Sequence, residues 1–150
     1  MRLPTPYHSQ SLGLLLLRIG CAWFIFVWAV NKIIAPRQYQ KLAKFFDSID
    51  LGLWQVYAIA AVQIVICLLV FAGWARIVSY AALAAMHGFS IFRQWPQYLA
   101  PFEINDNGFP VNRNITVALC AFLAMLGLWL LRHRDHWSLD VLLAARRKNS

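Results

Sequence analysis

The chain has 150 residues, of which 61% are hydrophobic and only 13% charged, with a formal net charge of +8. Soluble domains carry about a quarter charged residues, so this composition excludes an ordinary soluble enzyme and a disordered chain. The positive charge points away from nucleic acid, because Lys and Arg collect at the edges of membrane proteins.

A spanning helix needs roughly 20 mainly apolar residues, and four segments qualify. The first runs over residues 11–35 and stops at Pro36, which lacks an N–H and disfavours helix at the residue before it. It continues well past Cys21, so it is expected to be an uncleaved anchor rather than a signal peptide. A mixed-charge segment from Arg37 to Asp50 follows, with Leu42-Ala43 and Phe45-Phe46 at helical spacing, as in a short interfacial amphipathic helix. The second span covers 51–73. After a tight turn near Gly73–Arg76, the third covers 75–95 and stops at Pro96. A polar loop from Pro96 to Arg113 leads to the fourth span, 114–131. The tail 132–150 is basic and holds a short interfacial helix, Leu139 to Arg147, with Ser138 as its expected N-cap. Trp54, Trp74, Trp95 and Trp129 lie at span ends, at headgroup level, whereas Trp23 and Trp28 lie deeper and are expected to pack. The predicted fold is all-α: a single transmembrane domain over 1–150, built as a bundle of four transmembrane helices.

Four spans put both termini on one face. Basic residues then divide seven to six between the faces, Arg18 aside. This favours cytoplasmic termini, by one residue only; the expected location is a bacterial inner membrane.

Polar groups inside the spans are costly and mark where function should be sought. Arg18 lies about seven residues into the first span, either snorkelling to the near interface or facing inward toward a carboxylate, a quinone oxygen or a partner. Lys32 is fourteen residues further on, about 21 Å up the helix and on the same face. Gln63 is polar at depth in the second span. In the third, His87, Ser90 and Gln94 recur at spacings of three and four, a stripe expected to face the bundle interior. His87 suits an interhelical hydrogen bond, a ligand contact or, less well, a metal. Cys21, Cys67 and Cys120 are single and form no C-x-x-C. His133-Arg-Asp-His136 lacks a third ligand, so no metal site is expected. Arg18, Lys32, Gln63, His87 and Ser90 are the candidate ligand-binding residues. Glu103, Asp106, Arg113 and Asp140 are the candidate partner contacts.

Several stretches resemble one family. They are Arg18-Ile-Gly20, the run Trp23 to Phe26, Trp28-Ala-Val-Asn-Lys32, the segment Gln63 to Met86, and Gly127 followed by Trp137-Ser-Leu-Asp140-Val-Leu-Leu143. Together they are similar to DoxX-like membrane proteins, related to the small membrane subunit of a thiosulfate:quinone oxidoreductase. The chain departs from that pattern at Ala22 and Ala29, where glycines are usual, and at Gln63, where an acid is frequent. The resemblance implies a four-helix membrane bundle and fits a subunit that binds a quinone or docks a redox partner, with no covalently bound cofactor. The other readings are a non-catalytic scaffold recruiting a protein partner, a homo-oligomer, and a small-solute or metal transporter. Fold alone does not choose among them.

Overall fold

The computed structural model describes residues 6–104, 108, 112 and 115–149. Among these the chain is helical, with seven α-helices and a single 3-10 turn. They are α1 (Pro6–Ile34), α2 (Pro36–Asp47), α3 (Leu53–Ala72), α4 (Arg76–Arg93), α5 (Trp95–Tyr98), α6 (Ile115–Leu130) and α7 (Leu139–Asn149), with the 3-10 turn over Arg132–Arg134 between α6 and α7.

Each long helix ends where local chemistry dictates. Pro36 ends α1 and starts α2 as its first-turn proline. Gly73 closes α3 in the left-handed region at φ 66°, and its N–H and that of Trp74 return to the carbonyls of Val70 and Leu69. Pro96 opens the short α5 rather than an unstructured loop.

Two helices, residues 8–34 and Leu53–Ala72, are long and apolar enough to cross a membrane. Only 33% and 22% of their apolar stretches are buried within the protein, too little for core helices of a soluble bundle. The expected third and fourth spans are shorter. The 18 residues of α4 reach about 27 Å and the 16 of α6 about 24 Å, against a hydrocarbon core of about 30 Å.

Helices α1 and α3 make the most extensive pairing, followed by α4 with α6 and α3 with α4. The buried positions of the first pair include several small residues: Cys21, Ala22 and Ala29 in α1, with Ala60 and Cys67 in α3. Small residues let helix backbones approach closely where no hydrophobic effect drives them together. Larger side chains, Tyr80, Leu83, Met125 and Leu128, fill the space toward α4 and α6. A side chain on Gly88 of α4 would meet the ring of Phe122 in α6 at 2.7 Å, so the ring would have to shift to admit one.

Two expectations change and a third is refined. Trp23 and Trp28 are 58% and 54% exposed, so they face outward instead of packing. Ser90 is exposed and leaves the stripe begun by His87; its hydroxyl points to the carbonyl of Met86 in its own helix, which meets its polar need without a bundle partner. Ser138 stands at the N-cap position of α7, its carbonyl accepting from Val141 and Leu142, but its hydroxyl donates back to the Asp135 carbonyl at 2.9 Å instead of capping its own helix.

Candidate functional site

The candidate site lies where α1, the end of α3, the start of α4 and the segment 132–140 meet. Arg18 is buried on the face of α1 that also carries Cys21, Ile25, Ala29 and Lys32. Its Nη1 reaches Oδ2 of Asp135 at 2.8 Å, and its Nη2 donates to the carbonyl of Trp137 at 3.1 Å. The same Oδ2 accepts the hydroxyl of Tyr80 from α4 at 2.7 Å. Asp135 and Tyr80 are wholly buried. Bringing two charges out of water costs several kcal/mol each, so the pair is tolerable only because close geometry and a further hydrogen bond offset that cost. Arg18 Nε and Asp135 Oδ1 have no hydrogen-bond partner among the described residues.

A second layer holds the first in place. From α4, Arg76 donates through Nη1 to the carbonyls of Arg132 and Asp135 at 2.7 and 2.8 Å. Those carbonyls follow the end of α6, where backbone N–H donors run out and carbonyls need other partners. The Asp140 carboxylate accepts the backbone N–H groups of Ala75 and Arg76, each at 3.0 Å, and Arg76 Nε at 3.3 Å. It therefore caps α4 from another helix while lying in the first turn of α7, between two positive helix ends. Burial alone would raise the Asp140 pKa, but the two backbone donors and the Arg76 guanidinium hold it below the usual carboxylate value. Gly73 completes the fit: a Cβ there would overlap Arg18 Nη1 and come within 2.7 Å of Ser138 Cβ.

The structure does not gather the residues singled out from sequence into one site. Arg18 belongs to this cluster, and Asp140 serves it from within the chain. Lys32 is buried near the far end of α1, donating to the Trp28 carbonyl at 3.3 Å with its ammonium 4.5 Å from the centre of the Tyr39 ring. His87 is buried beside Phe24, and its Nε2 lies 2.9 Å from the carbonyl of Ala118. A carbonyl only accepts, so that nitrogen carries the proton. Gln63 Oε1 is buried with no partner among the described residues. Glu103 accepts from Asn112 Nδ2 at 2.9 Å, which stitches its loop together. Asp106 and Arg113 lie outside the described residues.

Asp135, Tyr80 and Arg76 are the members of this cluster that sequence reasoning missed. Asp135 was visible only as the acid between His133 and His136. Both histidines are exposed while Asp135 points inward, so the three do not converge. Among the described residues no group of three His, Cys, Asp or Glu could hold a metal ion. A signal was available: an inward-facing Arg18 needs an acid, and no span contains one, which leaves the acids just beyond the spans.

The DoxX family model matches residues 13–95, more than half of the chain. The match takes in Arg18, Gly73, Arg76 and Tyr80 and stops before Asp135 and Asp140. No curated protein and no solved structure matches.

Proposed function

This chain belongs to the DoxX family, and from that premise we propose that it is a four-span subunit of a membrane redox system that holds a redox partner at the bilayer. The reading places it in a bacterial inner membrane with cytoplasmic termini. In it α4 and α6 also cross, with local bilayer thinning compensating for their shortness.

The observation that carries the proposal is the closure of the Arg18–Asp135–Tyr80 cluster. A quinone site at Arg18 would need its guanidinium to face a ligand, yet both terminal nitrogens engage Asp135 and Trp137. What the cluster does instead is fix the segment 132–140 against three helices. That segment and α7 present Arg134 and Arg146 outward, a cationic edge suited to an acidic protein face.

Affinity purification from native membranes followed by rebinding of the isolated components tests this. The expected result is a soluble redox enzyme in fixed stoichiometry that rebinds the pure protein, with the Arg134→Glu, Arg146→Glu double variant weakening rebinding tenfold or more. Absence of any such enzyme would overturn the docking role.

One observation favours a second reading, in which the same family member binds a quinone directly. The orphaned Gln63 Oε1 is an acceptor, and a quinol hydroxyl would donate to it. Quinone-analogue binding in lipid that falls about tenfold in Gln63→Leu, with Arg134→Glu without effect, would select this reading.

A further inference from the structure

At the opposite end of the bundle, α2 occupies a position that the neighbouring helices determine. It lies between the two helices long enough to cross a membrane, so the chain holds it at the level where those helices leave the hydrocarbon. Its roll is fixed as well. Tyr39 covers the Lys32 ammonium, Gln40 Nε2 donates to the Leu51 carbonyl at 2.6 Å, and Ala43 is buried, all on the inner face. These positions repeat at spacings of four and three, so the face opposite them must point away from the bundle.

On that outer face Arg37 and Lys41 are exposed and stand one helical turn apart. Lys44 is also exposed, and it pairs with Asp50 at 3.0 Å. The same helix shows apolar side chains that a water-facing helix would not display, Leu42 at 39% exposed and Phe45 at 80%, and past its end Ile49 and Trp54, in the first turn of α3, are 41% and 73% exposed. Exposed cations and large apolar side chains on one helix at headgroup depth match a lipid interface better than the surface of an acidic soluble protein.

The geometry points to a binding site on α2 for the phosphate of an anionic phospholipid, held between Arg37 and Lys41, with Leu42, Phe45 and Trp54 seated among the acyl chains next to it. The two residues sit at i and i+4, close enough for both to reach one phosphate group. Inner-face contacts hold the helix before lipid arrives, so the site needs no folding on binding. This end is separate from the Arg18 cluster, and the inference stands whether or not the protein docks a redox partner.

Native mass spectrometry of the full chain in mild detergent tests it, with phosphatidylglycerol and phosphatidylcholine as the two probes at low ionic strength. The wild type is expected to retain one phosphatidylglycerol in preference to phosphatidylcholine. Each Lys or Arg near an anionic surface contributes about fivefold, so the Arg37→Gln, Lys41→Gln double variant should lose the preference by roughly 25-fold. The charge-preserving Arg37→Lys, Lys41→Arg exchange should keep most of it. The Arg134→Gln, Arg146→Gln variant, at the other end, should keep it in full. Equal retention of both lipids by the wild type overturns the proposal. So does unchanged preference in the Arg37/Lys41 variant, or displacement of bound phosphatidylglycerol by inorganic phosphate alone, which would show an unselective anion site.

Discussion

Arg18 illustrates how a single residue changes meaning when its neighbours are known. Its depth in an apolar helix leaves snorkelling and ligand binding both open. The structure supplies a third role, an internal ion pair with Asp135 completed by the Tyr80 hydroxyl. Removing one partner of such a pair strands a buried charge and costs about 3–5 kcal/mol, whereas replacing both with apolar residues of similar volume is often neutral. Arg18→Met and Asp135→Leu singly should therefore each lower the thermal midpoint in detergent by many degrees. The double variant Arg18→Met, Asp135→Leu should recover most of the loss. A double variant no more stable than the sum of the singles would show that the two side chains act separately. His87 and Lys32 are simpler cases, since each finds a backbone carbonyl close to where its own helix places it.

Among the helices, the least expected feature is that the start of α4 is capped from α7. Ala75 stands at the N-cap position of α4 with φ 49° and provides no side-chain cap, so the donors of Ala75 and Arg76 turn to the Asp140 carboxylate, 65 and 64 residues away. This contact has a definite pH signature. The Asp140 pKa is depressed in the folded state, so its stabilisation is complete above the ordinary value of 3.8 and is lost as pH falls through the lower folded value. Melting curves of the wild type and Asp140→Asn should differ by a constant amount from pH 7 to about pH 5 and converge on acidification below the ordinary carboxylate pKa. A difference that stays constant to pH 2 would mean that the carboxylate charge is not what holds α4. Several helix ends, by contrast, were already legible, although α1 begins at Pro6, five residues before the expected start. The boundaries expected from Pro36, Gly73 and Pro96 agree with the observed helix ends to within two residues, because apolar run length and proline or glycine chemistry act locally.

Across the whole molecule the two ends differ in kind. One is closed by buried ion pairing and backbone capping, and the other carries α2 with its exposed cations and aromatic side chains. If α4 and α6 cross the bilayer, positions 9 and 133 lie on one side and position 48 on the other. Ser9→Cys and His133→Cys should then react with a membrane-impermeant maleimide from the same face, and Ser48→Cys only from the opposite one. Labelling of Ser9→Cys and His133→Cys from opposite faces would refute the four-span arrangement. Cys21 and Cys67 are buried, but Cys120 is exposed on α6, so the labelling is done in a Cys120→Ala background.

The sequence by itself determined the helical class, the long apolar segments and the family resemblance, because each depends on composition and on spacings within about twenty residues. It also marked Arg18 as a group requiring explanation. Only the tertiary structure decided what satisfies it. Asp135 is 117 residues away and lies outside every apolar run, so no periodicity links the two. The link comes from which helix ends converge, and from Gly73 leaving room for the guanidinium to reach across. Pairing between charges depends on distance in space, and in a bundle that distance is set by packing rather than by position along the chain.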